Sequence, residues 1–254
     1  MVRHASTMRN IVVVIVLVLL SLCPARAEAV DGLYRGEAIV TGREADAERD
    51  RGLREALAEV VVKLSGDARL IDHPHLPALL DQAPQLVERL SYEDRQRSSL
   101  MTVEFHPQAV DRLLETLGVR PWSAERPRVL VLLAVQDLTG AFPLAAEGER
   151  GRGQREAVAD MARRRGIPLV LPRMGSDDQA ALERGGGIAA LKQDYHADAV
   201  LMGSMVMRPE GTWDTGWTLL RDGMPEVWNV DGTTFDRAIQ DGVERTARYL
   251  AGVE

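Results

Sequence analysis

The sequence predicts a mixed α/β (α+β) protein in two parts, a small α+β unit followed by a larger, three-layer-like α/β module. Three observations carry this. Alternating apolar and polar residues at Tyr34–Val40 and Met101–Phe105 flank a long stretch whose apolar residues follow helical spacing. Farther on the strand pattern changes, since Val129–Val135 is almost continuously apolar, as in a strand covered on both faces. Between the two regimes, Pro121 and Pro127 interrupt regular structure. The expected divisions are residues 1–27, 28–123 and 124–254.

The first division reads as an export signal. Arg3 and Arg9 give a positive start, Ile11–Leu20 is an apolar run, and Ala25-Arg26-Ala27 is a small-x-small cleavage pattern. That run is about half of the roughly 20 residues a membrane-crossing helix needs. Cleavage after Ala27 and export to the periplasm are therefore expected, with no stable membrane insertion afterwards. The alternative is a lipoprotein anchored at Cys23, but the preceding Leu22 is bulky where such signals want a small residue.

In the first unit, Tyr34–Val40 alternates as a half-buried strand and Thr41-Gly42 turns into a helix reaching Leu64. Its apolar stripe is Leu53, Ala56, Leu57, Val60, Val61 and Leu64, and Ser65-Gly66 ends it. Leu76–Leu80 and Pro84–Leu90 read as two shorter helical pieces, and Met101–Phe105 as a second strand. Pro107 suits a first helical turn, with Val110, Leu113, Leu114 and Leu117 on one face and Gly118 closing the helix.

In the second unit, strand Val129–Val135 runs into a polar loop from Gln136 to Gly153. Helix Arg155–Arg165 and the apolar strand Ile167–Leu171 follow. Ser176-Asp177-Asp178-Gln179 has capping-box form, and helical pattern resumes at Ile188–Tyr195 after Gly185-Gly186-Gly187. Ala199–Val206 is the next strand. Thr212–Leu220 and Glu226–Val230 form a closing meander around Asp222-Gly223, and Thr233, with Asp236 three on, opens a last helix.

Composition narrows the function classes. The chain has 31 basic and 38 acidic residues, and the leader removes Arg3, Arg9 and Arg26, leaving a net charge of −10. With no concentrated basic face, nucleic acid is not an expected partner, nor is an anionic membrane surface. The one cysteine, Cys23, lies in the leader, so the mature chain forms no disulfide and relies on packing.

Each candidate for chemistry has a plainer reading. His73 and His75 form the one His-x-His, but zinc sites need three or four protein ligands, and His106 and His196 are distant in sequence. An exposed loop fits better. Gly148, Gly151 and Gly153, with Arg150, Arg152 and Arg155, precede a helix whose free N–H groups could hold an anion. Neither phosphate-loop nor dinucleotide spacing is present, which favours a solvated loop. Arg163, Arg164 and Arg165 sit at a helix carboxyl end, where cations offset the dipole. Asp46 with Asp50 lies on a charged helix face, and Asp177 with Asp178 in a helix cap. No nucleophile elbow is present. No catalytic, metal or cofactor set is assigned, and an enzyme is not expected.

Trp213 and Trp217 are four apart on a strand and share a face. They are the binding candidates, either as an exposed platform for a partner or glycan, or as filling between sheet and helix.

Several stretches are familiar together: Arg54–Val60 within Ala47–Gly66, Val103–Pro107, Trp122, Arg126-Pro127, Val129–Val135, Tyr195–Gly203, and Trp213 with Trp217. They resemble a bacterial family of exported proteins catalogued as domain of unknown function 2066. That family tends to carry aspartate where this chain has His106, which implies a weaker helix cap here. The resemblance brings no reaction, cofactor or catalytic residue. At fold level the second unit also resembles the TolB amino-terminal domain and envelope lipoproteins that assist curli secretion or activate penicillin-binding proteins. These are assembly or regulatory proteins. The expected function is an exported, non-catalytic binding protein in envelope assembly or maintenance, with periplasmic or envelope proteins as partners. The alternatives are a periplasmic hydrolase using metal at His73 and His75, and a glycan or small-ligand receptor using the Trp213 face.

Overall fold

The computed structural model describes residues 28–42, 45–176, 178, 187–221 and 225–253. The expected leader, with the Cys23 alternative, lies outside them, as do Asp177 and Gln179 of the capping-box segment, Gly185-Gly186 and Asp222-Gly223.

The first unit packs one long helix against three antiparallel strands. Strands β2 (Arg35–Val40), β3 (Val87–Asp94) and β4 (Ser99–Phe105) run in the order β2-β4-β3. Helix α1 (Asp46–Ser65) lies across them and ends at Gly66, left-handed at φ 73°. Its expected stripe is buried, Ala56, Leu57, Val60 and Val61 all at 0% exposure, against Val40, Met101, Val103 and Phe105. Helices α2 (Leu76–Leu80), α3 (Ala83–Leu86) and α4 (Pro107–Thr116) close the core, with Leu76, Ala83, Val110 and Leu114 inward. His106 occupies the cap position of α4 and makes no side-chain cap bond.

The start of α1 is fixed by Glu48, whose carboxylate accepts from Arg51 Nε, from the Thr41 backbone N–H at 3.1 Å and from Thr41 Oγ1 at 3.0 Å. The Arg51 bond first, then those from Thr41, pull its pKa down to about 2 from an ordinary 4.5. A carboxyl group that ionises more readily when folded stabilises the fold above its unfolded pKa. That contribution disappears as the pH falls toward 2. An NMR titration should place the Glu48 midpoint near 2, and Glu48→Gln should flatten the loss of stability between pH 4.5 and 2.

The piece read as a helix over Pro84–Leu90 is a helix only to Leu86, then strand β3. A bulge between Val87 and Arg89 inserts Glu88 and breaks the two-residue alternation, so Leu86, Val87 and Leu90 mimic helical spacing.

The second unit is a six-stranded sheet in the order β11-β10-β9-β6-β7, with β8 also pairing β6. The strands are β6 (Val129–Asp137), β7 (Gly140–Pro143), β8 (Leu169–Val170), β9 (Ala199–Met207), β10 (Trp213–Leu220) and β11 (Glu226–Thr233). β8 and β9 run parallel to β6, while β7, β10 and β11 are antiparallel to their neighbours. Since β9 occupies one edge of β6, β7 and β8 share the other, β8 at Val129–Leu130 and β7 from Ala134 on. Helices α5 (Arg152–Arg165) and α7 (Phe235–Leu250) cover one face through Val158, Ile239, Val243 and Ala247. Helix α6 (Ile188–Asp194) lies on the other. The last helix is capped by Thr234, which accepts from Arg237 N–H, rather than by Thr233, which ends β11. Hairpin β6–β7 falls where a loop is expected; Asp137 accepts from Thr139 and makes the tight turn.

The expectation that β6 is covered on both faces holds only at its start. Seven residues of α6 reach Leu130 and Val200, whereas Ala134, Gln136, Ser204, Val206, Val227 and Asn229 on the same face are exposed. The short strand β1 (Glu28–Ala29) pairs with β5 (Glu125–Arg126), tying the start of the first unit to the joint. Among the described residues, no helix is long and apolar enough to cross a membrane.

Candidate functional site

The tryptophans are in the core. Trp213 is 4% and Trp217 2% exposed, both beneath α7. An exposed Trp213/Trp217 platform is therefore not what this strand builds. The ring of Trp217 lies in a slot between Gly203 of β9 and Gly242 of α7, where a Cβ would come within 2.4 and 2.6 Å of it. Trp213 meets Phe235 edge-on at 5.9 Å. The third tryptophan of this meander, Trp228, donates its indole N–H to Asp241 Oδ2 at 2.7 Å.

The glycine-rich loop is closed on itself. Arg155 donates to Arg150 O at 2.8 Å and to Gly148 O, Arg150 donates to Gly140 O at 2.8 Å and lies over Phe142, and Arg152 pairs with Glu149. These guanidinium groups hold the loop's own carbonyls and carboxylates. His73 and His75 have ring centroids 5.5 Å apart, and His73 Nδ1 accepts from the His75 backbone N–H at 3.3 Å. No group of three or more His, Cys, Asp or Glu suited to a metal occurs among the described residues.

Charge is spent instead at the joint between units. Arg126 is fully buried, stacked on Trp122 at 4.1 Å, and meets no carboxylate among the described residues. It donates to Lys63 O at 2.8 Å, to Arg165 O at 2.8 Å, to Gly166 O at 2.9 Å and to Ser123 O at 3.2 Å. One guanidinium thus serves the carboxyl ends of both α1 and α5, where partial negative charge gathers. Burial pushes its pKa down to about 10, which leaves it charged at neutral pH. Beside it, Arg163 reaches Glu37 at 2.6 Å and Arg164 reaches Glu59 at 3.7 Å, so the arginine run does more than offset a dipole. Glu59 and Lys63 pair at 3.5 Å, and burial raises the first pKa and lowers the second. No motif marks these residues, because carbonyl ligands leave no trace in sequence.

Among the described residues, a half-open concavity lies where β7 and β8 part along β6. Leu132, Leu133 and Ala134 of β6, Pro143 and Leu144 after β7, Pro172 and Met174 after β8, Leu191 of α6 and Gly203 of β9 enclose about 190 Å³. Leu144 N–H donates to Leu133 O and Ala146 N–H to Pro172 O, each at 2.7 Å, stitching its walls. Met174 has φ 56°, a left-handed conformation rare for a bulky residue. Its N–H donates to Asp178 Oδ2 at 2.5 Å, and the Tyr195 hydroxyl, 3.0 Å from both Asp178 oxygens, accepts from Arg173 N–H at 2.8 Å. Asp178, 7% exposed, thus anchors that wall.

Beyond the cavity, the exposed sheet face runs in register from Ala134 through Ser204 and Gly216 to Asn229. Sequence reasoning missed this floor because strand alternation reveals two faces but not how far a helix covers the second.

Residues 27–123 match a family described as Domain of unknown function (DUF8605). This corrects the resemblance to family 2066: the matching family is a different one, and the match stops at the joint. Of the stretches behind that resemblance, Arg54–Val60 and Val103–Pro107 share buried residues, Ala56, Leu57, Val60, Val103 and Phe105, whose spacing follows from a helix packed on a sheet. A comparison with curated proteins finds no match.

Proposed function

We propose that the chain is an exported, non-catalytic binding protein of the periplasm, acting in envelope assembly or maintenance through the open face of its larger sheet. The observation that supports binding is the concavity beside that face, which among the described residues is lined by Leu, Ala, Pro, Met and Gly. Its volume, about 190 Å³, is below the roughly 300 Å³ at which ligand pockets begin, so it suits an anchoring group better than a whole cofactor. The periplasmic reading rests on the leader pattern, and the assembly role on the fold-level resemblance read from the sequence of the second unit, which no comparison supports.

Two experiments test this. Sequencing the mature amino terminus from the periplasmic fraction should begin at Glu28; an intact leader in the cytosol, or a lipid on Cys23, contradicts it. Chemical crosslinking in intact cells should give one discrete heavier species, lost in an Ala134→Asp, Val227→Asp double variant that charges two exposed positions of the face. An unchanged species in that variant contradicts binding there.

A further inference from the structure

We infer that the joint is a proton-sensitive hinge, in which a proton on Glu59 tightens the docking of α5 onto α1 and loss of that proton loosens it. The build of the joint argues this first. The two units have separate hydrophobic cores, one around Leu57 and Phe105, the other around Leu133 and Trp217. What joins them is largely polar, and units joined that way, without a shared core, are the ones expected to shift against each other. The strand pair β1–β5 and the bond from Trp122 N–H to Leu64 O, at 2.6 Å, lie where the chain crosses between units and form the pivot. The end of α5 is the part that swings.

The second observation is where the charges sit. Glu59 and Lys63 of α1 are 8% and 6% exposed, and the end of α5 completes their cover. Gly166 comes so close that a Cβ there would lie 3.1 Å from Lys63 Cγ and 2.9 Å from the Leu33 side chain. Glu59 faces Lys63 at 3.5 Å on its own helix and Arg164 at 3.7 Å on α5. From β2, Glu37 faces the same cluster and holds Arg163 at 2.6 Å. Asp160 of α5 pairs with Arg163 and, at 2.8 Å, with Arg164. Lys63 Nζ also donates to Arg35 O at 2.5 Å, and the Arg126 guanidinium lies against Gly166.

The two contacts of Glu59 are longer than charge-assisted hydrogen bonds, so they do not offset the cost of taking its carboxylate out of water. Docking therefore works against the ionised form. Burial accordingly raises the Glu59 pKa above the ordinary 4.5, against the pull of Lys63 and Arg164. A carboxyl group whose pKa is higher docked than hydrated favours docking as the pH falls through that higher value, and opposes it above. Burial lowers the Lys63 pKa, which adds a penalty at neutral pH that acid does not relieve. The docked state gains about tenfold for each pH unit that separates the docked and hydrated pKa values of Glu59. This window lies above 4.5, whereas that of Glu48 lies below it.

Lysine acylation reads the hinge, because the chain has two lysines, Lys63 in the joint and the half-buried Lys192 on α6. Dividing the Lys63 rate by the Lys192 rate removes the amine chemistry that both share. Peptide mass spectrometry of the purified protein should show Lys63 reacting the slower, with the ratio falling severalfold from about pH 7.5 to about pH 5. In Glu59→Gln, whose side chain stays uncharged, the ratio should be low and flat over the same range. A ratio in the unmodified protein that is flat, or that rises in acid, overturns the inference, and this course decides alone where the variant fails to fold. A folded Glu59→Gln variant that still follows pH overturns it as well.

Discussion

Arg126→Met lowers the stability of the whole protein by roughly 3–5 kcal/mol, a fall in Tm on the order of 10 °C. The substitution keeps an apolar stem over Trp122 but leaves Lys63 O, Arg165 O, Gly166 O and Ser123 O without their donor. The carbonyls of Lys63, Arg165 and Gly166 lie at the ends of α1 and α5, where no intrahelical N–H remains for them, and that of Ser123 lies in the joint itself. Arg126→Lys recovers only part of the loss, because a single ammonium on a flexible stem cannot address carbonyls on both helices as a planar fork does. Denaturant unfolding of both variants checks this. A loss below about 1 kcal/mol for Arg126→Met would mean that the joint is wet, with water replacing the guanidinium.

The second large effect is at Trp217. Trp217→Ala should cost roughly 3–5 kcal/mol, as for other buried tryptophans, against a few tenths for a ring on an open platform. Gly203→Ala and Gly242→Ala should each cost about 1–3 kcal/mol, since the new methyl group meets the ring from one side or the other. Combined with Trp217→Ala, either glycine substitution should lose most of its cost, because the clashing ring has gone. The indole N–H of Trp217 has no acceptor among the described residues, so the ring serves by its area. Trp217→Phe should accordingly retain more stability than Trp217→Ala. Additive losses in the double variants would contradict the slot.

What the sequence made legible was periodicity. The stripe Leu53–Leu64 and the alternation at Met101–Phe105 predict a helix on a sheet because burial enforces those spacings directly. The tryptophans share one face as expected, yet the depth of Trp217 depends on two glycines, Gly203 and Gly242, that lie on other elements. Arg126 was visible only as part of a joint, for its ligands are backbone carbonyls contributed by two distant segments and by neighbouring Ser123. The cavity was hidden for a similar reason: it arises from a gap between β7 and β8 on a shared edge, which depends on topology rather than on a motif.

The central claim, that this protein binds through the exposed face of its larger sheet, is tested most directly by a photo-reactive amino acid placed at Ala134 in the producing cells. Illumination should yield a single covalent adduct of defined mass. The same residue at Ser91 of β3, on the smaller sheet, should yield none. Equal labelling from both positions, or none from Ala134, would contradict the account.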